Sequence, residues 1–177
     1  MLAHRAGGAT ATARCKPNYE IASMTPASIL SISQTFQRGH ALCFGNGLPA
    51  DNGKSNALIP AVVCLAFATE LALKAILLAE ENLSHGHKLD ELFAKLQQRT
   101  QLLVMKKIGL EGGAFKANLA AVLNAFVDWR YIYEAPGSHS LNLPFMRSLC
   151  DVLSGVADQA TRLKPPSPQA ADRSISR

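Results

Sequence analysis

The stretch that decides the fold is "LIPAVVCLAFATELALKAILLA", residues 58–79. It is apolar almost all round, which suits either a membrane span or the central helix of a packed domain. The uncharged run before Glu70 is shorter than the ~18–20 residues a span needs. Glu70 and Lys74 then follow at i, i+4, a spacing that lets opposite charges pair on one helix face. The stretch therefore reads as a buried central helix, about Asn56 to Asn82, capped by Ser55 or Asn56, with Pro60 near its start.

Upstream, Thr25 is a good N-cap, and Pro26 follows at the first helical position, where its missing N–H costs nothing. Ile29, Ile32 and Phe36 give that helix an inner face, and it stops near Phe44, at the turn-forming Gly45, Asn46 and Gly47. The loop "GNGLPADNGKS" (45–55) ends in the Gly-Lys-Ser of a phosphate-binding loop. The first glycine of that motif falls on Leu48, however, and no strand precedes it, so the loop is not read as one.

Downstream, "LSHGHKLDELFAKL" (83–96) turns the chain and opens a third helix, striped by Leu89, Leu92, Phe93 and Leu96. His85 and His87 flank Gly86 and read as turn or cap residues, since the sequence fixes no acid or cysteine beside them as a metal partner. Residues 100–109 continue helically and end near Gly109. "EGGAF" (111–115) is a break. A fourth helix is expected from Phe115 to Glu134, ended by Pro136 and Gly137, and a fifth from Asn142 and Pro144 to Leu163. The fold expected is all-α: an antiparallel bundle of about five helices over residues 20–164. Residues 1–19 are expected to be disordered or loosely attached, and 165–177 to form a disordered tail.

Composition agrees with helices, because Ala and Leu are abundant and β-branched runs few. The net charge of +5 sits at the ends. Residues 1–16 and 162–177 each carry +3, while the body between has 11 basic and 12 acidic residues. The high pI is therefore no sign of a basic face on the folded body. Four scattered cysteines (Cys15, Cys43, Cys64, Cys150) form no C-x-x-C pair. They suggest neither a disulfide framework nor a zinc site. No cofactor, no metal and no membrane association is expected. The start lacks a continuous apolar signal region, and a cytoplasmic protein is expected.

One residue breaks the pattern. If residues 115–134 form one helix, Phe115, Leu119, Val122, Leu123, Phe126 and Tyr133 share a face, and Arg130 falls within it. A cation there needs a carboxylate or a bound phosphate. The first reading is a buried network of Glu70, Lys74, Arg130 and Glu134. The second is a groove in which Arg130 contacts phosphate, with Tyr133 one turn on.

Three stretches resemble the HEPN superfamily of helical domains. "ATELALKAILLAEEN" (68–82) is similar to its long second helix, with the E-x-x-x-K core at Glu70 and Lys74. "HGHKLDELFAKL" (85–96) is similar to the His-x-Leu turn opening the next helix, and "FVDWRYIYE" (126–134) to the late helix that bears an arginine. The resemblance spans about 110 residues in the expected order. It implies a helical bundle that forms a homodimer and works in bacterial defence or a toxin–antitoxin pair. Such a domain binds nucleic acid, a nucleotide, or a protein such as an antitoxin or a nucleotidyltransferase. Active members are metal-independent endoribonucleases with Arg, four to six residues, then His. Here Arg130 and His139 have eight residues between them, and position 134 is Glu. The reading is thus a non-catalytic binding domain. The alternatives are a ribonuclease using Arg130 and His139, and a purely structural interaction bundle.

Overall fold

The computed structural model of the chain describes residues 24–45, 57–134 and 140–163. The expected disordered ends, the Gly53–Ser55 motif, Cys15 and His139 lie outside these residues. Every element described is helical: α1 (Pro26–Gly45), α2 (Leu58–Ala79), α3 (Leu89–Ala94), α4 (Gln98–Ile108), α5 (Gly112–Ala120), α6 (Ala125–Arg130) and α7 (Leu143–Leu163).

Local chemistry sets several of the ends. Thr25 and Ser28 cap α1 reciprocally. The Thr25 hydroxyl accepts the Ser28 N–H at 3.1 Å, and the Ser28 hydroxyl accepts the Thr25 N–H at 2.9 Å. Gly109 closes α4 in the left-handed conformation (φ 76°) that glycine adopts without a Cβ clash. The Asn142 side chain accepts the Phe145 N–H at 3.2 Å and caps α7.

At the centre is α2. Thirteen of its residues are buried, among them Leu65, Leu73, Ile76 and Leu77. The helix is long and apolar enough to cross a bilayer by composition, but here its surface is covered by α1, α7, α6 and α3. Helix α1 runs antiparallel to α2, since Ser33 reaches Ala68 and His40 reaches Ala61. It also runs antiparallel to α7, through the pairs Gln37–Asp151 and His40–Arg147. It follows that α2 and α7 run parallel, so the antiparallel arrangement expected of the bundle holds for α1 alone within this trio. Thr69 lies beside Cys150, and Ile76 and Glu80 share a groove with Val156 and Ala160. Cys150 is fully buried there, and burial pushes its thiol up to about 11. Cys64, on α2, is half-buried.

Two of the five expected helices are broken. The third is divided by a turn at 95–97 into α3 and α4, and the fourth by turns at 121–124 into α5 and α6. Residues 131–134 are turn rather than helix. The second break matters most, because it changes which side chains face the core. Phe115, Leu119 and Val122 are buried as expected, but the stripe does not continue in phase. Trp129 packs inward, while Arg130 is exposed and Tyr133 is 77% exposed. The expectation that Arg130 lies on the buried face is therefore corrected: the turn at 121–124 rotates α6 out of register with α5.

Candidate functional site

The most concentrated chemistry among the described residues lies where α2, the 83–88 turn and α6 meet. Glu70 is fully buried on α2, in an otherwise apolar helix. Its carboxylate accepts the Lys74 ammonium at 2.7 Å, one turn along and 23% exposed. It also accepts His87 Nδ1, at 3.0 Å to Oε1 and 3.1 Å to Oε2. Two donors from different segments thus satisfy a charge that would be costly alone. The turn that delivers His87 reverses sharply after α2, with Glu81 (φ 61°) and Gly86 (φ 108°) in left-handed conformations. The Leu89 N–H bond to the Leu123 carbonyl, 3.1 Å, then fixes the turn against the α5–α6 junction.

With Nδ1 toward the carboxylate, a neutral His87 ring carries its lone pair on Nε2. The side chain is 57% exposed. Its ring stacks on Phe126 of α6 at 6.0 Å, and Phe126 stacks on Phe67 of α2 at 4.9 Å. Phe67 in turn meets Phe36 of α1 edge-on at 4.7 Å. This row of rings ties the rim to the core.

The Arg130 guanidinium lies 5.6 Å from the Phe126 centroid and 5.3 Å from that of Tyr131. One ring therefore carries both an imidazole and a guanidinium. No carboxylate among the described residues is within ion-pair distance of Arg130. The four-residue network expected from the sequence is thus present only as Glu70 and Lys74. Arg130 stands outside it, and Glu134 is exposed and does not pair with Arg130. Tyr131 and Tyr133 project from the same turn, 40% and 77% exposed.

His87, read from the sequence as a turn or cap residue, was missed as the partner of Glu70. It lies 17 positions from Glu70, across a chain reversal, so no helical or strand period connects the two. The available signal was a buried acid needing more than one donor. No group of three His, Cys, Asp or Glu side chains converges as a metal set among the described residues.

Comparison with protein-family models, curated proteins and solved structures gives no match to this chain.

Proposed function

We propose that this rim binds single-stranded nucleic acid, in the manner of a HEPN-like domain serving bacterial defence or a toxin–antitoxin pair. The observation that supports the reading is Arg130. It is an exposed guanidinium held on the Phe126 and Tyr131 rings, with no described acid to neutralise it and the exposed Tyr133 in the same turn as Tyr131. Cations that follow the phosphates, with rings on which bases stack, are what strand binding without base-specific contacts requires. The cation on the ring is held in place before a ligand arrives, which lowers the ordering cost of binding.

Filter binding of a fluorescent RNA oligonucleotide at low and moderate salt tests this. Wild type is expected to bind with salt-sensitive affinity, and Arg130→Ala to bind roughly tenfold more weakly while keeping its stability within about 0.5 kcal/mol. Wild type that fails to bind at low salt rejects the reading and leaves a protein-interaction bundle. The same reading makes the protein a cytoplasmic homodimer. A single monomeric species in sedimentation equilibrium at two concentrations would reject the dimer.

One observation favours a second reading, metal-independent RNA cleavage. His87 and Glu70 form a carboxylate–imidazole dyad, and the imidazole shares the Phe126 ring with the Arg130 guanidinium. In that reaction the 2′-hydroxyl loses its proton to His87 Nε2 as its oxygen bonds to phosphorus. The bond from phosphorus to the 5′-oxygen breaks, water protonates the leaving oxygen, and Arg130 faces the charged phosphoryl oxygens. His87 thus takes the part that the sequence pattern gave to His139. Cleavage of RNA but not of the matching DNA, abolished in His87→Ala and kept in His139→Ala, is expected. Equal RNA decay with all three proteins excludes it.

A further inference from the structure

A second polar cluster lies away from this rim, where the end of α1 meets α7. His40 is buried, and its Nδ1–H donates to the Ala61 carbonyl at 2.9 Å. A carbonyl only accepts, so in the neutral ring Nε2 must be the lone-pair nitrogen. Arg147 of α7 donates its Nε–H to that nitrogen at 3.1 Å. The guanidinium carbon also sits 4.2 Å from the centroid of the Phe44 ring, one turn beyond His40.

Arg147 is therefore oriented on one edge and one face by groups that carry no charge. Its outer edge, with the two terminal nitrogens, has no partner among the described residues, and no described carboxylate is within ion-pair distance. The nearest acid along the helix, Asp151, accepts instead from the Gln37 amide. A half-buried guanidinium held this firmly and left unneutralised matches the two-oxygen edge of an oxyanion.

We propose that Arg147, set in place by His40 and Phe44, is a binding site for a small oxyanion, a carboxylate or phosphate group gripped by two parallel N–H bonds. His40 is the positioning residue: its tautomer directs the fork. Phe44 covers one face of the fork. The site stands apart from Arg130 and does not rest on the nucleic-acid reading.

The test uses the full chain at constant ionic strength, titrated separately with inorganic phosphate and with acetate, with chloride as the control. Two quantities are followed: melting temperature and the Arg147 side-chain Nε–H resonance. Saturable stabilisation by phosphate, by acetate or by both is expected, with a matching shift of the Arg147 resonance. The anion that saturates identifies the class. Arg147→Lys keeps the charge but loses the fork, and is expected to bind roughly tenfold more weakly. The proposal fails if the wild-type Arg147 resonance does not move, if chloride has the same effect, or if Arg147→Lys saturates at the wild-type concentration. The wild-type resonance decides the matter even if the lysine variant does not fold.

Discussion

Glu70 carries more energetic weight than any other side chain at the rim. It is fully buried, and both its donors approach from outside the core. Removing the carboxylate strands Lys74 and leaves a polar hole in α2. Glu70→Ala is expected to destabilise by about 3 kcal/mol in urea unfolding, and a change under about 0.5 kcal/mol would mean the site is effectively solvated. His40 gives a second residue-level expectation. Burial, the largest influence, holds its ionisation below the ordinary value of 6.5, and the nearby Arg147 charge adds to this, against opposing effects from the Ala61 carbonyl and Asp151. The folded state thus binds the proton more weakly than the unfolded chain. The resulting stability is fully present above 6.5 and is lost as pH falls through the lower, folded value. Chemical denaturation at pH 7.5 and at pH 5 should show that loss, and the loss should shrink in His40→Leu. A pH response unchanged in the variant would assign the loss to other groups. At this scale the sequence was partly legible. A charged i, i+4 pair inside an apolar run foretold Glu70 and Lys74, because both positions lie on one unbroken helix. Arg130 was misplaced, because a face count holds only while the helix is continuous.

At the scale of elements, the long helices were legible and the short ones were not. Thr25-Pro26, Gly109 and Asn142 mark real ends because caps are local chemistry, set by a residue and its neighbours a turn away. The breaks at 95–97 and 121–124 have no such punctuation. "AKLQQRTQ" and "LAAVLNAF" contain neither proline nor glycine. What interrupts the first is a distant group. The Glu80 carboxylate, just past the end of α2, accepts the Gln97 N–H at 2.8 Å and the Thr100 hydroxyl at 2.5 Å, so it caps the start of α4 from outside the helix. A negative group at this end also opposes the positive pole of the helix. Glu80→Ala is expected to cost about 1–2 kcal/mol and to speed amide exchange in the first turn of α4. Unchanged exchange there would show that the cap is dispensable. The Leu89–Leu123 backbone bond crosses the second break in a similar way, tying it to a segment far off in sequence.

At the scale of the molecule, one apolar cluster joins all seven helices, with α2 as its axis and α7 lying parallel beside it. Truncating an internal member should therefore cost far more than truncating a surface leucine. Leu149 is fully buried on α7, whereas Leu102 on α4 is 56% exposed. Leu149→Ala is expected to lose about 3 kcal/mol and Leu102→Ala less than about 0.5 kcal/mol, both by urea denaturation. Similar costs at the two positions would contradict the placement of the core. The burial of α2 also has a consequence for biosynthesis. The helix leaves the ribosome before α3, α6 and α7, and its cover is complete only when Leu143–Leu163 has been made. During that interval the nascent chain displays a greasy rod of 22 residues, of the length and hydropathy that targeting factors and chaperones capture. Whether newborn molecules are shielded promptly, rather than how stable the finished domain is, should set the yield of folded protein.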